Sequence, residues 1–193
     1  MIRDITAYEG SFVVRCALKL TPLFFMRPGE LRNAEWQWVD FERKEIRYHV
    51  SKTRTDHIVP LARQAVELLQ ELHALTGEGK YLFSSTKTGD RPISNNTINA
   101  ALRLLGYDTK KDICAHGFRA MARTILHEEL KKVDPNIIER QLVHKVAGPL
   151  GAAYDRTQFL KERKAIMQIW ADYLDELAAG GQIIPIETKT AFR

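Results

Sequence analysis

The chain has 193 residues, 45% hydrophobic and 27% charged, a balance that supports a buried core without metal or disulfide staples. Its 29 lysines and arginines against 24 acids leave a net charge of +5, which excludes an acidic disordered tail and permits a polyanionic partner. Cys16 and Cys114 are too isolated for a disulfide scaffold or a CxxC metal site. No apolar run reaches bilayer length, and Met1-Ile2-Arg3-Asp4 is unlike a signal peptide, so a reducing cytoplasmic setting is expected.

Residues 12–25 are apolar apart from Arg15, Lys19 and Pro22, and they predict a buried helix ending near Pro22. Arg27-Pro28-Gly29-Glu30 marks a sharp turn, with Pro28 suited to a first helical position and Glu30-Leu31 opening a short second helix. From residue 36 to 60 the period shortens. Trp38, Phe41, Ile46, Tyr48, Val50, Ile58 and Val59 fall in alternating runs that predict about three antiparallel strands, with Ser51 to Asp56 as the last hairpin.

Helical spacing returns after Pro60, where Ala65, Leu68, Leu69, Leu72 and Leu75 form a stripe closed by Gly77. Tyr81-Leu82-Phe83 reads as a short extended piece. A helix from Ser94 turns Ile98, Ala101, Leu102 and Leu105 inward, and another covers residues 116–130. Asp134-Pro135 starts the next, and Gly148-Pro149 breaks that region. Residues 158–178 form a long amphipathic helix with Ile166, Ile169, Trp170, Tyr173, Leu174 and Leu177 as its stripe, stopped by Gly180-Gly181. No repeat or linker divides the chain. The expected fold is mostly α with a small antiparallel β-sheet (α+β).

Six dispersed polar residues stand out: Arg27, Lys52, His116, Arg119, His144 and Tyr154. Each alone has an ordinary reading. An arginine beside Pro-Gly pairs with a nearby acid, a hairpin lysine aids solubility, a histidine at a helix end caps it, and a tyrosine packs. Their order is less ordinary. Phe25-Met26-Arg27-Pro28-Gly29-Glu30-Leu31-Arg32, Ser51-Lys52-Thr53-Arg54, His57-Ile58-Val59-Pro60-Leu61, Ala115-His116-Gly117-Phe118-Arg119, Gln141-Leu142-Val143-His144-Lys145 and Ala152-Ala153-Tyr154-Asp155-Arg156 follow one another along nearly the whole chain.

In that order and spacing the sequence resembles the catalytic domain of tyrosine recombinases, in particular the integrases of phages and mobile genomic islands. The resemblance implies that family's catalytic-domain fold and assigns roles position by position. Arg27 matches the first catalytic arginine, Glu30 a supporting acid and Lys52 the hairpin lysine. His116 and Arg119 match the HxxR pair, His144 the second histidine, and Tyr154 the nucleophile. Between His144 and Tyr154 this chain reads KVAGPLGAA, where many relatives carry polar residues.

The implied reaction is cleavage and rejoining of DNA strands through a 3′-phosphotyrosyl intermediate. Two guanidiniums suit the anionic phosphorus centre, since charge grows on the non-bridging oxygens during attack. A phenol with a reference pKa of about 10 needs a proton acceptor, a role for His116, and Lys52 protonates the departing 5′ oxygen. No metal or nucleotide cofactor is expected, and no GxxxxGK or GxGxxG loop occurs.

Arg43, Lys44, Arg47, Lys52 and Arg54 in and around the sheet are candidate DNA-backbone contacts, with Arg156, Lys161, Arg163 and Lys164 around the start of the final helix as a second basic group; interleaved acids leave an ordinary solvated face open for both. Expected partners are double-stranded DNA at attachment sites, other protomers in a synaptic tetramer, and host bending or directionality factors, with no membrane. The setting is the bacterial cytoplasm, close to the nucleoid. With 26 residues before Arg27, the expectation is a catalytic domain over 1–180 and a tail over 181–193, without upstream core-binding and arm-binding domains. A non-cleaving DNA-binding module and a type IB topoisomerase-like relaxing activity are the alternatives.

Overall fold

Apolar residues are densest between Phe12 and Phe24, and this segment becomes the helix on which the others pack. The computed structural model describes residues 1–85, 88–128, 134–143 and 159–180. Its helices are α1 (Ile2–Thr6), α2 (Phe12–Phe24), α3 (Pro28–Arg32), α4 (Arg63–Thr76), α5 (Thr97–Leu104), α6 (Gly117–Glu128), α7 (Pro135–Gln141) and α8 (Leu160–Ala179). Strands β1 (Val39–Asp40), β2 (Glu45–Val50) and β3 (Thr55–Pro60) lie between α3 and α4. Helix α2 touches α1, α3, α4, α5, α6 and α8, which explains why Cys16, Ala17, Leu18, Leu20 and Phe24 lose all contact with solvent.

Helix α2 ends near Pro22, as expected, two residues beyond it at Phe24. The proline removes one backbone donor, but it sits in the last turn, where Leu23 and Phe24 are buried beyond it. Two hydrogen bonds fix the chain on either side of it: Thr21 Oγ1 donates to the Ala17 carbonyl at 2.7 Å, and the Trp170 indole donates to the Pro22 carbonyl at 2.9 Å. The helix stops at Phe25, whose φ of 56° is left-handed and turns the chain toward Arg27.

The sheet is antiparallel in the order β1-β2-β3, with Ile46 opposite Val59 and Tyr48 opposite His57. Period-two alternation puts Ile46, Tyr48, Val50, His57 and Val59 inward and leaves Arg47, His49 and Asp56 exposed. Trp38 belongs to a 3-10 turn (Trp36–Trp38), not to a strand, and stacks on Tyr48. The hairpin turn is shorter than the sequence suggests, because β3 already begins at Thr55.

Three helical stripes shift from expectation. On α4, Leu75 is 62% exposed and Leu68 half-buried, while Val66 and Thr76 are buried; the Thr76 hydroxyl accepts from the Trp36 indole and donates to the Leu82 carbonyl. Helix α5 starts at Thr97, since the Ser94 and Thr97 hydroxyls pair in the preceding turn, and Leu105 is only half-buried. On α8, Ile169 is 47% exposed and the inward face is Arg163, Ile166, Met167, Trp170, Ala171 and Leu174. Gly180, at a φ of 90°, ends that helix. The Gly148-Pro149 break and the 181–193 tail lie outside the described residues.

Candidate active site

Arg27 stands between the left-handed Phe25 and the first turn of α3, which Pro28 opens with its preset φ. Glu30, three residues on, folds back onto it. Its carboxylate accepts from the Arg27 backbone N–H at 3.1 Å and from the Arg27 guanidinium at 2.9 Å. From β2, the Tyr48 hydroxyl donates to the same carboxylate at 3.0 Å. Burial drives the Tyr48 phenol well above its ordinary pKa, and the Glu30 charge adds to the effect. One acid thus holds a guanidinium and a neutral phenol.

Arg119 comes to this place from α6. It is 6% exposed, and its guanidinium donates to two backbone carbonyls, those of Phe25 and Leu142. Burial lowers its pKa, the Arg27 cation lowers it further, and Glu30 and Tyr48 oppose them. Among the described residues, two guanidiniums therefore share one neighbourhood with a single carboxylate. Such a site carries surplus positive charge in a poorly solvated setting, which favours an anionic group with several acceptor oxygens.

His116 lies just outside α6, which begins at Gly117, so it and Arg119 flank the helix start. Its ring is exposed, its carbonyl accepts from the Arg119 backbone N–H at 3.2 Å, and the Asn99 side chain holds the adjacent Ala115 N–H at 2.9 Å. Lys52 is exposed in the β2–β3 turn, beyond the end of the strand that carries Tyr48. His144, Tyr154 and Arg156 lie outside the described residues.

The basic residues of the sheet form two groups, not one patch. Arg43 and Lys44 occupy the β1–β2 turn, and Lys52 and Arg54 the β2–β3 turn, at opposite ends of β2 and roughly 20 Å apart. Arg47, between them, is paired with Glu45 at 2.7 Å, and Lys164 reaches the other oxygen of Glu45 at 2.9 Å. Burial raises the pKa of Glu45, but these two hydrogen bonds outweigh it and the group stays ionised. Arg163, expected among the surface cations, is 3% exposed and faces the core.

Sequence reasoning also missed Tyr48 as the partner of Glu30. Alternation places it inward, but nothing local names a contact 18 residues away.

A model of the phage integrase family matches residues 3–159. The chain belongs to that family. It is 43% identical over 186 residues to the integrase of Enterobacteria phage P4, with 89% of this chain and 42% of that protein covered. It is 38% identical over 173 residues to the prophage integrase IntZ of Escherichia coli K12, covering 89% of this chain and 42% of IntZ. The chain therefore spans less than half the length of these relatives.

Among solved structures, the integrase of mycobacterium phage Brujita superposes with a TM-score of 0.62 at 15% identity, over 86% of this chain and 54% of that one. A lambda integrase (75-356) dimer bound to a COC′ core site gives a TM-score of 0.59 at 20% identity, over 97% and 60%. The helical body with its small antiparallel sheet is thus the catalytic-domain fold of tyrosine recombinases.

Proposed function

We propose that this chain is the strand-exchange unit of a site-specific integrase, which cuts and rejoins DNA through a phosphotyrosyl intermediate to integrate or excise a mobile element. The observation that carries the reading is the convergence of Arg27, from the N-cap of α3, and Arg119, from α6, around the carboxylate of Glu30. In this reading both guanidiniums grip the non-bridging oxygens of the scissile phosphate, and His144 adds a third donor. Tyr154 Oη bonds to phosphorus, the bond from phosphorus to the 5′ oxygen breaks, the phenol proton passes to His116, and Lys52 protonates the departing oxygen. Religation by a 5′ hydroxyl from another duplex reverses the same steps.

Residues 1–180 make up the catalytic unit in this reading. Its partners are duplex attachment sites, further protomers in a synaptic tetramer, and host bending or directionality factors. Lys52 and Arg54 at the hairpin tip, with Arg43, Lys44, Arg47 and Arg156, supply backbone contacts. A cytoplasmic, nucleoid-associated location follows from a DNA substrate; among the described residues no helix is long and apolar enough to cross a membrane.

The test is covalent capture on a pool of nicked duplexes with randomised centres. A denaturation-resistant adduct, formed by the wild type and absent from Tyr154→Phe, supports the reading. Recovered adducts that religate to a second duplex separate strand exchange from simple relaxation. DNA binding without any adduct overturns the reading and leaves a non-cleaving module.

A further inference from the structure

The most deeply buried cation of the described residues that the proposed chemistry leaves unused is Arg163, 3% exposed in the first turn of α8. Its Nε donates to Gln141 Oε1 at 2.8 Å, and its Nη2 donates to the Ile58 carbonyl and lies 3.5 Å from His57 Nε2. One guanidinium therefore fastens the start of α8 to the end of α7 and to β3.

The end of α7 matters because of what comes next in the chain. Gln141 is followed by Leu142, whose carbonyl accepts from Arg119 at 2.6 Å. The second carbonyl holding Arg119 is that of Phe25, two residues before Arg27. A displacement of the α7 terminus would therefore carry the Leu142 carbonyl away from the Arg119 guanidinium.

Gln141 shows that this arrangement is not optimised for stability alone. The residue is 1% exposed, and its Nε2 has no hydrogen-bond partner among the described residues. An orphaned buried donor is costly, and a methionine of similar volume would avoid it. What glutamine supplies and methionine does not is the Oε1 acceptor for Arg163.

We infer that Arg163, Gln141 and His57 form a clasp that positions Arg119, so that its free donors face the scissile phosphate. The clasp residues touch neither substrate nor reacting atoms; they act through the Leu142 carbonyl. The inference rests on the strand-cleavage reading for its consequence, though not for its geometry. Misplacement of a gripping group by about 1 Å is enough to cost on the order of 100-fold in rate.

The experiment compares Gln141→Met, which removes the acceptor, with Gln141→Glu, which keeps one, in the full chain. Two readouts are taken: single-turnover adduct formation at saturating DNA on a duplex recovered from the randomised pool, and the guanidinium resonances of 15N-labelled arginine. The clasp predicts that Gln141→Met loses about 100-fold in adduct rate with unchanged DNA affinity, and that Gln141→Glu recovers most of it. In an Arg119→Lys background the same substitution should cost nothing further, because its route of action is gone. The restricted guanidinium rotation of Arg119 should vanish in Gln141→Met and persist in Gln141→Glu.

An Arg119 signal that survives Gln141→Met, or a loss that adds in full to that of Arg119→Lys, overturns the clasp. Absence of adduct from the wild type, with the Arg119 signal still lost in Gln141→Met, supports the clasp and overturns the reaction it was taken to serve. If both variants fail to fold equally, glutamate has not rescued methionine, and a positioning role is overturned in favour of a structural one.

Discussion

Arg27 and Glu30 are joined twice, once through the Arg27 backbone N–H at 3.1 Å and once through its guanidinium at 2.9 Å. The first bond closes the N-terminus of α3 and the second aims the side chain, so one carboxylate couples local folding to the site. Glu30→Gln keeps an acceptor and the shape but removes the charge. Glu30→Ala removes all three hydrogen bonds of the carboxylate. The alanine variant should lose about 1.5–3 kcal/mol in urea unfolding, and the glutamine variant less. Both should cleave more slowly in the adduct assay, because Arg27 is no longer held against the nearby Arg119 charge.

Tyr48→Phe isolates the third bond to Glu30. Removing the hydroxyl leaves Arg27 on the carboxylate, so the expected cost is about 1 kcal/mol in urea unfolding with little loss of cleavage. The phenol also makes a spectroscopic prediction. Burial and the Glu30 charge hold its folded pKa above the unfolded value of 10.0, so its contribution is present below pH 10 and is lost only as pH rises through the folded value. Ultraviolet difference titration should show one phenolate fewer in Tyr48→Phe only after unfolding, and no change in the folded titration near pH 10.

How much of this was legible in the sequence depends on the range of each interaction. Arg27 and Glu30 sit three residues apart and Pro28 sets the turn between them, so their pairing follows from local geometry. Arg119 is legible as a member of an ordered motif, since its type and spacing carry the resemblance, but its hold on the Phe25 and Leu142 carbonyls arises only when α6 packs beside them. Arg163 reads as a surface cation because Lys161, Glu162 and Lys164 surround it, and one charged run does not say which member turns inward. The α8 stripe shows that, with Met167 taking the buried place expected for Ile169. Pro22 marks the end of α2 to within two residues, and tertiary burial of Leu23 and Phe24 carries the helix past its local cost.

The separation of basic residues along β2 predicts unequal roles in DNA binding. Lys52 and Arg54 are exposed at the hairpin tip, whereas Arg47 is already paired with Glu45. Neutralising Lys52 and Arg54 together should weaken binding and flatten the log–log salt dependence by about 2, given a slope of roughly 0.9 per phosphate contact. Arg47→Gln should change the slope by much less. Fluorescence anisotropy across a salt series reads both, and equal slopes for all variants would make the hairpin an ordinary solvated face.

His57 predicts a stability change with pH. Burial first, and the Arg163 cation next, push its pKa from 6.5 down to about 3, so the folded protein keeps it neutral. The unfolded chain takes up a proton between those values and the folded chain does not. This contribution is therefore complete above pH 6.5 and is lost progressively as pH falls toward 3, by at most about 1.4 kcal/mol per pH unit. Urea midpoints measured from pH 7 to pH 4 should fall for the wild type, and His57→Gln should flatten that fall.

Arg119→Lys tests the site most directly, because lysine keeps the charge and loses the fork. One ammonium does not span the Phe25 and Leu142 carbonyls and also present donors to a phosphate, so at least one buried carbonyl is left unpaired at a cost of about 1–3 kcal/mol. The rate effect should be larger than that stability loss implies. Losing one donor to developing charge costs about 100-fold to 1000-fold, and the assay at saturating DNA reads that loss as rate, separately from binding. Charge alone does not do the work in this account; geometry does. A lysine variant that cleaves at the wild-type rate would show that Arg119 serves only to tie α6 to α2 and α7, and the grip on the phosphate would then fall to Arg27 and the remaining donors.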